Sequence, residues 1–183
     1  MNYDRGYVDN FWDWPGRYAN RCFDYFARHN SGRPILYEFN SQGYRGPEHS
    51  ASPDISVFGS SFSFGVGIEY AECWHQQLGN YQVNCYAPAG FLVTNNDIID
   101  HWNQTKETIK TGIVILQLRE FVYNKSPIEI PNSVHCFVID QYQHPDLFGF
   151  DYESFADHAE DATHPGAKTH KLWSQQIKTR FNL

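Results

Sequence analysis

Ile55-Ser56-Val57-Phe58-Gly59-Ser60-Ser61-Phe62-Ser63-Phe64-Gly65-Val66-Gly67 is the stretch whose reading decides the fold. Its first four residues form a short apolar run of the kind that a parallel sheet buries on both faces. Glycine follows at once and recurs at 65 and 67, so the run ends in a tight turn where a ligand can approach the backbone closely. Three later runs, 82–86, 112–118 and 134–139, have the same buried-strand character. Helical patterns lie between and after them, at about 69–79, 92–110 and 167–181. Alternation of this kind predicts an α/β chain with a mainly parallel sheet and helices on both faces.

Upstream, residues 7–29 carry Phe11, Trp12, Trp14, Tyr18, Cys22, Tyr25 and Phe26 at roughly helical spacing, broken by Pro15-Gly16. One or two short helices are expected there, in an N-terminal extension over 1–34 that caps the core. A short edge strand at 35–39 and a turn-rich loop over 40–47 come next.

At 183 residues with 41% hydrophobic content, the chain fits one domain, 1–183, with a sizeable core. The formal charge is -7 and no basic run appears, which argues against nucleic acid as a partner. No stretch approaches the roughly eighteen apolar residues of a membrane span. Met1-Asn2-Tyr3-Asp4-Arg5 does not begin a cationic-then-apolar leader, so a soluble, cytoplasmic protein is expected. Cys22, Cys73, Cys85 and Cys136 are scattered, and reduced thiols are the simplest expectation. Aromatics reach 17%, which allows an aromatic-lined surface groove.

Open α/β sheets bind ligands beyond the carboxyl ends of their strands, which is where Ser61 falls. A serine hydroxyl becomes a useful nucleophile only when an imidazole takes its proton and a third group orients that imidazole. Asp161-Ala162-Thr163-His164-Pro165 offers the base and the orienter from one late loop. A phosphate cradle would need a lysine after the glycines, and none follows. Thr163 is the residue expected to cap the helix after Pro165. His158, His164 and His170 fall six apart, which is not a metal-site spacing, and neither a metal nor a cofactor is expected. His144-Pro145-Asp146 reads as a solvated turn.

The Gly-Ser-Ser turn and Asp161-x-x-His164-Pro165 together resemble the SGNH (GDSL-type) hydrolase superfamily, whose nucleophile follows a first strand in a Gly-Asp-Ser block and whose acid and base arrive late as Asp-x-x-His-Pro. The likeness spans roughly residues 38 to 181. It implies a three-layer α/β/α, flavodoxin-like fold and a serine esterase with Ser61, His164 and Asp161 as the catalytic residues. The Ser61 amide would serve as one oxyanion donor.

Three departures stand out. Ser60 replaces the aspartate of Gly-Asp-Ser. In the second block, Ala89 takes the place of the donating glycine with Gly90 one residue later, and either amide suits the oxyanion. The third block's asparagine is missing, since the strand runs into Arg119-Glu120-Phe121, and Arg119 or Asn124 is the candidate replacement. Two functions follow from the resemblance. One is a deacylase of a small acyl ester, such as an O-acetylated sugar or short-chain lipid ester. The other is a catalytically weakened SGNH-like domain that binds a carbohydrate or a protein.

Overall fold

A computed structural model describes residues 2–3, 21–25, 34–88, 95–110, 112–119, 134–139, 148–151, 154–160 and 162–183. Its main feature is a five-stranded sheet built from β4 (Ile55–Phe58), β5 (Val83–Cys85), β6 (Ile113–Arg119), β7 (His135–Ile139) and β8 (Gly149–Phe150). The order is β5-β4-β6-β7-β8, and every pairing is parallel. The apolar runs at 55–58, 82–86, 112–118 and 134–139 thus all become strands of an α/β fold. β8 was not expected, because two residues give no periodicity to read.

A second sheet of order β1-β2-β3 joins β1 (Asn2–Tyr3), β2 (Arg21–Tyr25) and β3 (Ile35–Glu38). β2 runs antiparallel to β3, with Cys22 opposite Glu38 and Tyr25 opposite Ile35. This corrects the helix expected within 7–29. Phe23 and Tyr25 favour a strand intrinsically, and a neighbouring strand to pair with outweighs a loose helical spacing. The remainder of 4–33 lies outside the described residues. β3 is the expected edge strand; Ile35 and Tyr37 point inward while Leu36 and Glu38 are exposed.

Side chains of the main sheet alternate between two apolar clusters, as the two-residue period of a strand requires. Ile55, Val57, Ile115, Phe137 and Ile139 share one cluster with Trp173 and Ile177 of the C-terminal helix α3 (Ala167–Phe181). Phe58, Val114, Leu116, Leu118 and Val138 share the other with Ile98 and Trp102 of α2 (Asn95–Thr105). β4, between β5 and β6, is buried throughout. It leads directly into α1 (Ser61–Phe64), a single turn that Gly65 closes in the left-handed conformation at φ 77°. The helix expected over 69–79 is instead two 3-10 turns, Tyr70–Glu72 and Trp74–Gln77, meeting at the extended Cys73.

The loop over 40–47 folds back so that Arg45, 3% exposed, reaches the carboxyl end of α1. Its guanidinium donates to the carbonyls of Phe64 (3.0 Å), Gly65 (2.6 Å) and Ile68 (2.7 Å) and lies 4.1 Å from the Tyr37 ring centre. A cation there complements the carbonyl end of the turn and satisfies oxygens that water cannot reach. Replacing Arg45 by leucine strands these acceptors. The expected loss is about 3 kcal/mol of folding stability, read from urea unfolding, and a loss below about 1 kcal/mol would refute this role.

Candidate active site

Ser61 is the first residue of α1, placed immediately beyond the carboxyl end of β4. Its Oγ lies 3.0 Å from Nε2 of His164. Ser61 is 3% exposed and His164 is half-buried, so the contact is shielded on the serine side and open on the histidine side. When the imidazole proton sits on Nδ1, Nε2 accepts from the Ser61 hydroxyl, which is the tautomer a general base needs. Nδ1 lies 3.3 Å from Thr163 Oγ1, and the ring packs at 5.4 Å from that of Phe62, the residue after the serine.

Short-range backbone contacts fix the histidine. Residues 157–159 run antiparallel to 164–166: Ala159 N–H donates to the His164 carbonyl (2.8 Å) and Gly166 N–H to the Asp157 carbonyl (3.0 Å). Glu160 N–H donates to the Gly67 carbonyl (3.2 Å), which ties this hairpin to the glycine loop that carries Ser61. The cap of α3 comes from Asp157 rather than from Thr163. Its carboxylate accepts from the amides of Lys168 (3.0 Å) and Thr169 (2.8 Å), and a negative group at that end suits the helix dipole. Thr163 Oγ1 lies instead beside His164 Nδ1, and the helix amides are already taken by Asp157.

Beneath α1 two imidazoles are buried and neutral. His75 is fully buried; its Nε2–H donates to the Ser63 carbonyl (2.9 Å), and its Nδ1 accepts from Gln76 (3.0 Å). Burial pushes its pKa down to about 3. His170 of α3 accepts the Trp74 N–H at 3.0 Å and is held well below the ordinary range, chiefly by burial and then by His75. Gln117, the one polar side chain in the apolar part of β6, accepts from the Ser60 amide (3.0 Å) and from the hydroxyls of Ser60 (3.1 Å) and Ser63 (3.0 Å). Sequence reasoning passed over it, although an amide inside Ile113–Leu118 was itself a signal. Gly59 belongs to the same arrangement, because a Cβ there would lie 2.8 Å from Gln117 Oε1 and 2.5 Å from Ser63 Oγ.

The structure thus brings Ser61 and His164 together. Arg119 is the last residue of β6, paired opposite Ile139. Asp161, Ala89, Gly90, Asn124 and the 144–146 turn lie outside the described residues. Among the described residues no cluster of three or more His, Cys, Asp or Glu side chains could hold a metal, and no helix is long and apolar enough to cross a membrane. Cys73 and Cys85 are buried free thiols, and burial raises both. A cavity of about 620 Å³ lies elsewhere, walled by Tyr44, His49 and Tyr86 and by Thr105, Thr108 and Ile109. Burial pushes His49 down to about 4; the Cys85 backbone offsets this slightly, although neither ring nitrogen makes a hydrogen bond of ordinary geometry. Comparison with protein-family profiles, with curated proteins and with solved structures gives no match, so the site is read from its own geometry.

The lowered histidines carry a pH dependence. Below about pH 6.5 the unfolded chain protonates its imidazoles, while folded His75 stays neutral down to about pH 3 and His49 to about pH 4. The unfolded state therefore binds more protons in this window, and stability falls as pH drops from 6.5 towards 4. Each such imidazole contributes a slope of up to about 1.4 kcal/mol per pH unit. Urea unfolding at pH 7, 6, 5 and 4 should show this decline, and His75→Gln should flatten it; an unchanged slope would remove His75 from the explanation.

Proposed function

We propose that the chain is a serine esterase of SGNH type, a three-layer α/β/α domain that removes a small acyl group through an acyl-enzyme on Ser61. The observation that carries this reading is the 3.0 Å contact between Ser61 Oγ and His164 Nε2, made across 103 positions of sequence beyond the carboxyl end of β4. A buried serine in hydrogen-bond reach of a half-open imidazole has the geometry of a nucleophile and its base.

In the first half-reaction, Ser61 Oγ bonds to the ester carbonyl carbon while its proton passes to His164 Nε2. The tetrahedral intermediate then expels the alcohol, which leaves with that proton. In the second, water gives a proton to His164 and attacks the acyl group, and the carboxylic acid departs as Ser61 regains its hydrogen. Asp161 is assigned to orient His164. Developing negative charge on the carbonyl oxygen is assigned to the Ser61 amide, which α1 leaves without an intrahelical partner, and to Ala89 or Gly90. Arg119 is the candidate for the donor that an asparagine supplies in the family. The substrate assigned is a small acyl ester, such as an O-acetylated sugar or a short-chain lipid ester.

The second reading is a weakened SGNH-like domain that binds a carbohydrate or a protein. The aromatic cavity beside Tyr44, His49 and Tyr86 favours it, because neither Ser61 nor His164 lines that cavity.

Hydrolysis of p-nitrophenyl acetate separates the two. The wild type should turn over, and Ser61→Ala and His164→Ala should each fall by about a thousandfold or more. A fluorophosphonate should label the wild type and not Ser61→Ala. Equal rates in all three proteins, with no labelling, would leave only the binding reading.

A further inference from the structure

We infer that Gln117 is a positioning residue for Ser61: its side-chain carbonyl fixes the turn that presents the serine hydroxyl to His164. Gln117 is fully buried in the middle of the sheet, two residues before the end of β6. Its Nε2–H donates to the Leu118 carbonyl at 3.1 Å, which sets the orientation of the amide and leaves Oε1 facing the turn. That single oxygen receives the Ser60 N–H, the Ser60 hydroxyl and the Ser63 hydroxyl, all within 3.1 Å. The donors flank Ser61 on both sides, two from the residue before it and one from the same helical turn. Trp74 Nε1–H donates to Ser63 Oγ at 3.2 Å, so the Ser63 proton is directed at Gln117 rather than elsewhere.

Packing alone does not account for this choice. Ile113, Val114, Ile115, Leu116 and Leu118 make β6 apolar, and a leucine at 117 would continue that pattern without burying an amide. The amide is instead used on both sides, as donor to its own strand and as acceptor for the turn. Gly59 belongs to the same device, since any side chain there would push the turn off Oε1. Without the carbonyl, the Ser60 amide and two hydroxyls lose a common buried acceptor, and the turn must move to satisfy them. Ser61 Oγ moves with it, and a displacement of about 1 Å at a reacting atom costs on the order of a hundredfold in rate.

The test uses Gln117→Leu and the double variant Ser60→Ala/Ser63→Ala, the latter keeping Gln117 and the Ser60 amide if the former does not fold. The structural arm is a crystal structure of each folded variant. The Ser61 Oγ to His164 Nε2 separation should lengthen beyond hydrogen-bond reach in Gln117→Leu and less in the double variant. A distance unchanged from 3.0 Å in every variant that folds overturns the inference, whatever its rate. The kinetic arm rests on the esterase reading. Per molecule titrated with fluorophosphonate, kcat for p-nitrophenyl acetate should drop about ten- to a hundredfold in Gln117→Leu with KM within about twofold, whereas a merely structural residue would lower the unfolding midpoint and leave kcat per folded molecule unchanged. A wild type that neither hydrolyses nor labels would remove the esterase reading, and the distance would still decide the role of Gln117.

Discussion

Every residue from 55 to 68 is buried, although only the first four form a strand and the next helix is a single turn. Irregular backbone usually stays at the surface, because its amides and carbonyls need partners that a dry interior does not supply. Here the surrounding elements supply them from all sides. Gln117 takes the Ser60 amide, His75 donates to the Ser63 carbonyl, Tyr37 Oη takes the Gly67 amide, and Arg45 serves Phe64, Gly65 and Ile68. The loop over 40–47, the second sheet, β6 and the 3-10 turns are therefore all placed in part by the demands of one polar segment.

The same demand explains the division among the histidines. His75 and His170 are fully buried and hydrogen-bonded as neutral rings, since a charged imidazole there would lose its hydration without a counter-ion. His164 is only half-buried, held by a short antiparallel contact that leaves its Nε2 aimed at Ser61. Chemically similar side chains thus take different roles because the elements around them differ in access to water.

Much of the architecture was legible in the sequence. Largely apolar runs such as Ile55–Phe58 and the 113–118 stretch announce buried parallel strands, and the glycines at 59 and 65 announce the turn that follows. Ser61 and His164 were legible as a pair only because their local motifs were read together. Other features escaped for physical reasons. Arg21–Tyr25 pairs with Ile35–Glu38, and pairing partners lie outside any local window. Gly149–Phe150 is too short to carry a period, and the cap of α3 comes from Asp157, nine residues before the N-cap position Gly166 and so outside the local capping pattern. Gln117 was visible as a polar residue in an apolar strand, but its role depends on serines more than fifty positions away.

The sequence by itself determined the parallel strand-and-helix alternation, the turn that carries a serine, and the loop that offers a histidine, because hydrophobic period and glycine placement act over a few residues at a time. Only the tertiary structure decided that Ser61 and His164 meet at 3.0 Å. It also decided which buried groups hold the turn between them, and which imidazoles remain neutral. Those outcomes depend on burial and on donor–acceptor geometry summed over distant segments, and no local stretch of chain encodes that sum.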